Sequence, residues 1–138
     1  MRKQVSIFIV VAGVLTAACG GAAGTGGTAT EPAVAAPADS GGTQQVTLTL
    51  GDSLRFAPQS VAVRAGQPVE LTLRNGGSTL HDFALTEGVS GPVKIEAQGG
   101  QTASGTFLID RPGTYTFVCS VPGHAAAGMR GTIIVRSS

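Results

Sequence analysis

From residue 44 onward, apolar and polar side chains alternate along short segments of the chain. In the segment 69–74, for example, Val69, Leu71 and Leu73 fall on one face and the polar residues on the other. A repeat of two is the pattern of a strand with one buried face. We predict strands at 46–50, 61–63, 69–74, 82–86, 93–97, 106–109, 114–119 and 131–136.

Glycine and proline mark the turns between these segments. The clearest turn signals are Ala65-Gly66-Gln67-Pro68, Asn75-Gly76-Gly77, Gly99-Gly100 and Arg111-Pro112-Gly113. No stretch of this region has a helical period. About eight short strands at close spacing favour an all-β fold, an antiparallel sandwich or barrel.

The first residues have the features of an export signal. Arg2 and Lys3 precede an apolar run over residues 5–18, and the small residues Ala17 and Ala18 come just before Cys19. A charged start, an apolar stretch and small residues before a cleavage site are typical of a secretory signal peptide. The run is about 14 residues long, which is too short for a membrane-spanning helix. We predict a signal peptide over residues 1–18.

Cys19 resembles the cysteine of a bacterial lipobox, in which the thiol is acylated and becomes the mature N-terminus. This resemblance implies lipidation of Cys19 and anchoring to the outer face of the cytoplasmic membrane, on the periplasmic or extracellular side. The alternative is an ordinary signal peptide that is cleaved near Ala18, with Cys19 incidental.

Residues 20–43 are almost all Gly, Ala, Thr, Pro and Ser. Such a segment lacks the apolar mass that would offset the entropy lost on ordering. We therefore divide the chain into the signal peptide, a lipidated and disordered linker over 19–43, and one domain over 44–138.

Nine basic and eight acidic residues indicate no nucleic-acid partner. We expect the protein to be a monomer.

The last third of the chain carries the candidate chemistry. A predicted strand ends at Cys119, a Pro122-Gly123 turn follows, and the next strand begins after His124 and Met129. The only other histidine, His81, opens an earlier strand. Thiolate, imidazole and thioether are ligands that suit copper, and two His, one Cys and a weak axial Met form the blue-copper arrangement.

Each of these residues has an ordinary alternative. A lone Cys is usually a small buried hydrophobe, a lone His is usually a surface or hydrogen-bonded polar residue, and a lone Met fills a core. Those alternatives do not explain why both histidines and the only Cys and Met of the domain form one spaced set. We predict that His81, Cys119, His124 and Met129 bind one copper ion.

The remaining chemistry of the sequence supports this interpretation. Cys119 has no second cysteine in the domain with which to form a disulfide. A single cysteine also argues against a binuclear copper centre. No catalytic triad, paired-carboxylate motif or phosphate-binding loop is present, so we do not expect an enzyme.

The domain resembles the cupredoxins, and the resemblance covers residues 44–138. It is carried by Pro58 with 61–69, by Asn75 to Phe83, and by Gly113 through Val135. The spacing Cys-x4-His-x4-Met is similar to that of auracyanins, and we also see likeness to plastocyanins and pseudoazurin. The resemblance implies a Greek-key β-sandwich and a backbone amide, from Asp82 or near Asn75, that donates to the Cys119 sulfur.

The resemblance also implies a blue-copper protein that shuttles single electrons. Its partners would be redox proteins such as a cytochrome, an oxidase or another membrane electron-transfer complex. Two alternatives remain open: an extracytoplasmic copper chaperone or storage protein, and a cupredoxin domain that modulates a membrane complex as one of its subunits.

Overall fold

The computed structural model describes residues 34–40 and 42–138. The predicted signal peptide, Cys19 and most of the predicted linker lie outside these residues. In the part described, the chain forms ten strands and no α-helix. The strands are β1 (Val34–Ala35), β2 (Ala38–Ser40), β3 (Thr43–Leu50), β4 (Ser60–Arg64), β5 (Val69–Asn75), β6 (His81–Leu85), β7 (Val93–Ala97), β8 (Thr102–Phe107), β9 (Gly113–Val118) and β10 (Arg130–Arg136). A helix long and apolar enough to cross a membrane is not found among these residues.

The strands form two sheets that enclose one core. The larger sheet has the order β1-β4-β10-β9-β6-β7, and the smaller has the order β2-β3-β5-β8. Val46, Leu48 and Leu50 on β3 alternate with more exposed residues, as do the buried residues of β5 and β10. The predicted all-β sandwich is confirmed, because the alternating segments place one face of each sheet inward.

The pairing is mixed, although the alternation suggested an antiparallel arrangement. Strand β3 runs parallel to β5, and β4 runs parallel to both β1 and β10. The chain passes from β3 through β4 in the opposite sheet and returns as β5. A strand in the other layer thus serves as the crossover that a parallel pair requires.

Two strand assignments differ from the sequence expectation. The apolar segment 106–109 predicted a strand, but β8 begins four residues earlier and ends at Phe107. The residues of this strand before Phe107 are small and mostly polar, and the strand is set by backbone pairing with β5. Leu108 then lies outside the strand with 40% of its surface exposed. The apolar character of 106–109 therefore led to a wrong position for the predicted strand.

Residues 34–40 also form strands, although the sequence analysis assigned them to the linker. Val34 and Ala35 pair with Ser60 and Val61, and Ala38–Ser40 pairs with the start of β3. The side chains of β1 are exposed. This pairing uses backbone groups on the sheet edges and buries little apolar surface, which is why composition gave no sign of it.

Aromatic rings join the two sheets at the centre of the core. The ring centroid of Phe117 lies 4.9 Å from those of Phe56 and Phe83. Phe83 also stacks on Phe107 at 5.7 Å. Gly131 pairs with Phe117 across β9 and β10, and the absence of a side chain there leaves room for the ring.

Substitution of Gly131 tests this packing. A Cβ atom at Gly131 would overlap Cζ of Phe117 and lie 2.5 Å from the carbonyl oxygen of Gln59. Gly131→Ala should therefore lower the free energy of unfolding in urea by about 1–3 kcal/mol. Gly91→Ala is the matched control, since a Cβ atom there meets nothing within 4 Å. Equal stability of both variants would show that Phe117 is not tightly packed.

Candidate metal centre

The pairing of β6 with β9 brings two of the predicted ligands to one end of the sandwich. His81 is the first residue of β6, and Cys119 directly follows β9. The two strands run antiparallel, with Ala84 opposite Val118. The start of β6 therefore lies beside the end of β9, which brings His81 close to Cys119.

A hydrogen-bonded loop between β9 and β10 supplies the third candidate ligand, His124. The His124 amide donates to the Val121 carbonyl at 3.0 Å, and the Met129 amide donates to the His124 carbonyl at 2.9 Å. Gly123 and Gly128 have φ angles of 86° and 99°, in a region that favours glycine. These turns bring the chain back to Cys119, whose amide donates to the Met129 carbonyl at 3.0 Å.

The donor atoms of His81, Cys119 and His124 converge in one pocket. Nδ1 of His81 lies 3.2 Å from Nδ1 of His124. The Cys119 sulfur lies 3.5 Å from that same His124 nitrogen. One donor atom from each residue falls within 4.8 Å of the other two.

The orientation of the His81 ring is set from outside the pocket. Its Nε2 lies 3.2 Å from the hydroxyl oxygen of Thr79, so Nδ1 is the nitrogen that faces Cys119 and His124. A partner on the outer nitrogen is the usual way in which a protein fixes the tautomer of a metal-binding histidine. The segment before His81 is itself held by the buried Asn75, whose amide group donates to the Thr79 carbonyl at 2.7 Å.

Burial shifts the pKa values of two of the candidate ligands in opposite directions. His81 and Cys119 have no exposed surface, whereas His124 is partly exposed. Burial lowers the pKa of His81, with the nearby His124 ring adding to the effect, and so favours the neutral imidazole. Burial raises the pKa of the Cys119 thiol, against donation from the backbone amide of Asp82.

This donor set fits copper. Two imidazole nitrogens and one sulfur are ligand types that copper prefers, and an ion that binds oxygen exclusively would find no partner among them. The Nδ1 atoms of His81 and His124 face each other, and the Cys119 sulfur lies close to them. A single cation between them could accept a lone pair from each of the three atoms. Copper is accordingly the cofactor that the chemistry of the pocket indicates.

Met129 is tied to the same pocket through its backbone. Its carbonyl accepts from the Cys119 amide and its amide donates to the His124 carbonyl. The side chain is fully buried. These contacts place residue 129 next to two of the donors, and axial ligation by its thioether stays a prediction.

The structure adds polar residues around the sulfur. The Asp82 amide donates to the Cys119 sulfur at 3.5 Å, which is one of the two donors that the cupredoxin resemblance implied. The buried Asp82 carboxylate accepts from the amide and the hydroxyl of Ser120, and the Lys94 ammonium lies 3.5 Å from it. A buried carboxylate thus fixes the residue that follows the thiol.

Sequence reasoning missed the side-chain roles of Asp82, Ser120, Lys94 and Thr79. The position of Asp82 directly after His81 was the only local signal. Lys94 reaches the carboxylate from the neighbouring strand β7, which pairs Lys94 with Ala84. A contact of this kind depends on register across two strands and leaves no pattern along the sequence.

Comparison with known proteins places the fold in a family. The profile of the cupredoxin-like domain matches residues 27–135. The copper-resistant cuproprotein CopI of Rubrivivax gelatinosus is 29% identical over 120 residues, with 72% of each chain covered. Auracyanin-B of Chloroflexus aurantiacus is 30% identical over 113 residues, which are 61% of this chain and 48% of that one.

Solved structures show the same fold. A reduced auracyanin from Roseiflexus castenholzii superposes with a TM-score of 0.62 at 21% identity, covering 67% of this chain and 96% of that chain. At this level of identity the superposition shows that the two proteins share a fold. Since the family profile spans well over half of the residues, the chain belongs to the cupredoxin-like family.

Proposed function

We propose that this protein is a blue-copper electron carrier in which His81, Cys119, His124 and Met129 hold a single copper ion. The observation that carries the proposal is the convergence of two imidazole nitrogens and one thiol sulfur within 4.8 Å at one end of a rigid sandwich. When bound, copper supplies a one-electron couple between Cu(I) and Cu(II).

The frame around the ligands favours repeated electron exchange. Both Cys119 and His124 are tied through the backbone of Met129, and Thr79 contacts the outer nitrogen of His81. Ligands that are held by packing and by outer hydrogen bonds keep their geometry when the charge in the pocket changes by one. Little structural rearrangement is then needed for each transfer.

Asp82 acts as a positioning residue in this proposal. Its amide donates to the sulfur, while its carboxylate holds Ser120 immediately after Cys119. A hydrogen bond to a ligating sulfur withdraws electron density from it and so contributes to the reduction potential. Asp82 thereby links β6, the strand that begins at His81, to the loop between β9 and β10 through both its backbone and its side chain.

His124 gives the site its route to a partner. It is partly exposed, and the loop beside it presents Pro122, Gly123, Ala126 and Ala127, which are exposed and uncharged. A small surface of this kind suits brief encounters between redox proteins. We propose a cytochrome, an oxidase or another membrane electron-transfer complex as the partner.

A second candidate is a copper-handling role outside the cytoplasm. It is favoured by the similarity to CopI, which is described as a copper-resistant cuproprotein. Against it stands the ligand inventory, since the sequence has two His and its only Met after the first residue is Met129. Exchangeable storage sites need surplus ligands, and a carrier needs one enclosed set.

The location follows from the N-terminal sequence and is part of the proposal. We propose that the chain is exported, acylated at Cys19 and anchored to the outer face of the cytoplasmic membrane. Several acyl chains hold a protein at a membrane durably, whereas a single chain binds only marginally.

Colour and electrochemistry test the copper site. The Cu(II)-loaded protein should be intensely blue and give a reversible one-electron wave, because the thiolate of Cys119 is a ligand. Cys119→Ser should abolish the colour, and Cys19→Ser, the same change at the other cysteine, should leave it intact. A colourless wild-type protein that binds Cu(I) tightly would favour the copper-handling alternative.

Proton release tests the state of the thiol. Because burial raises the pKa of Cys119 above that of a free cysteine thiol, the thiol is protonated at neutral pH and must lose its proton on ligation. Calorimetric titration with Cu(II) in buffers of different ionisation enthalpy should show about one proton released, and the affinity should rise about tenfold per pH unit between pH 7 and 8.

The matched control for this titration is Cys119→Ser, which should release about one proton fewer. His81 adds none at this pH, because its lowered pKa keeps the ring neutral. Equal proton release by both proteins would show that Cys119 is not the group that ionises.

Membrane fractionation tests the anchor. The wild-type protein should sediment with membranes, and Cys19→Ala should move it to the soluble fraction, because the acylated thiol is lost. Cys119→Ala is the control and should remain with the membranes. Recovery of wild-type protein in the soluble fraction would instead support the ordinary signal peptide.

A further inference from the structure

Two exposed arginines are bound to the loop that carries His124. Nη2 of Arg130 donates to the Ala125 carbonyl at 2.8 Å, and Nη1 of Arg55 donates to the Ala127 carbonyl at 2.7 Å. The first carbonyl belongs to the residue directly after His124. Both guanidinium groups are therefore fixed at the end of the sandwich where His124 reaches the surface.

The position of Arg55 is constrained further by Gly128. A Cβ atom at Gly128 would lie 2.6 Å from Nη1 of Arg55, so the guanidinium packs closely over this glycine. Arg55 also donates to its neighbour, the Leu54 carbonyl, at 2.9 Å. An arginine held by two carbonyls presents its charge at a defined place, unlike a free surface side chain.

Nearby carboxylates do not neutralise these two charges. Among the described residues, the ion pairs at this end join Lys94 to Asp82 and Glu96, and neither Arg55 nor Arg130 is within ion-pair distance of a carboxylate. Asp52, three residues from Arg55, accepts from the amide and hydroxyl of Ser78. Two positive charges thus border an otherwise uncharged loop.

We propose that Arg55 and Arg130 select redox partners that carry acidic groups around their own electron-exit site. This inference rests on the proposed electron-transfer function. Complementary charge raises the rate of encounter and orients the two proteins, while the uncharged loop permits close contact at His124. The arginines thus supply the specificity that a surface of Pro, Gly and Ala lacks.

A partner protein fits this surface better than an anionic membrane does. Lipid-binding patches typically contain clusters of four to eight basic residues, whereas two arginines border this loop. Their placement beside the exposed ligand also coincides with the route by which the electron leaves, where a lipid headgroup would block a partner. The acidic surface is therefore assigned to a protein.

Small redox reagents of opposite charge test the inference. Hexacyanoferrate(II), a tetraanion, gives one electron to the Cu(II) protein and becomes hexacyanoferrate(III), while copper becomes Cu(I). Its second-order rate constant at low ionic strength should fall about tenfold in the double variant Arg55→Gln, Arg130→Gln. Oxidation of the Cu(I) protein by the cation tris(phenanthroline)cobalt(III) should become faster in the same variant.

Matched variants separate charge from loop structure. Arg55→Lys with Arg130→Lys keeps both charges and alters the hydrogen bonds, so its rate with hexacyanoferrate(II) should stay within about twofold of wild type. Arg136→Gln removes an exposed arginine from the other end of the same strand, about 20 Å from Arg130, and should change little. If the rate constant of the Lys double variant or of Arg136→Gln fell as far as that of the Gln double variant, the proposal would be overturned.

A second readout needs no copper. In the metal-free protein, the inert trianion hexacyanochromate(III) should broaden the NMR signals of residues 123–128. The Gln double variant should lose this broadening, and the Lys variant and Arg136→Gln should retain it. Broadening that is equal in wild type and in the Gln variant would contradict the proposed anion-selective surface.

The outcomes distinguish this inference from the proposed function. A copper protein that exchanges electrons with both reagents at rates independent of Arg55 and Arg130 keeps the function and overturns the inference. Absence of exchange with either reagent contradicts the function itself, whatever the NMR result. Binding of the metal-free protein to phosphatidylglycerol vesicles that depends on both arginines would reassign the surface to lipid.

Discussion

The pairing of β6 with β9 determines where the ligands lie, and the rest of the site depends on it. It sets His81 and Asp82 beside Cys119, and the Asp82 amide then donates to the sulfur. A shift of one residue would turn the side chain of His81 to the opposite face of the sheet. The buried imidazole and thiol are tolerated because each has polar partners, and burial without partners would be costly.

The loop between β9 and β10 has a hydrogen-bonded backbone and leaves the side chain of His124 partly exposed. Turns at Gly123 and Gly128 and the hydrogen bonds of Met129 return the chain to Cys119. The same turns leave His124 partly exposed, and Arg55 and Arg130 hold the loop from outside. One short segment thus contains two of the candidate copper donors and the partly exposed His124, and it is bordered by the two charges that we assign to partner selection.

Much of this could be predicted from the sequence because the signals are local. Alternation in 69–74 reflects one buried face, and the donor residues between Cys119 and Met129 lie close together along the chain. The parallel pairing of β3 with β5, the strands in 34–40 and the true position of β8 could not, since backbone pairing between distant segments sets them. The same holds for the contact of Lys94 with Asp82, which requires knowledge of the strand register.

The central claim is that His81, Cys119, His124 and Met129 share one copper ion. The most direct test is a crystal structure of the copper-loaded protein with anomalous diffraction recorded at the copper absorption edge. We predict a single copper peak in contact with Nδ1 of both histidines and with the Cys119 sulfur, with the Met129 thioether as a more distant ligand. Copper bound elsewhere, or bound with His81 out of reach, would contradict it.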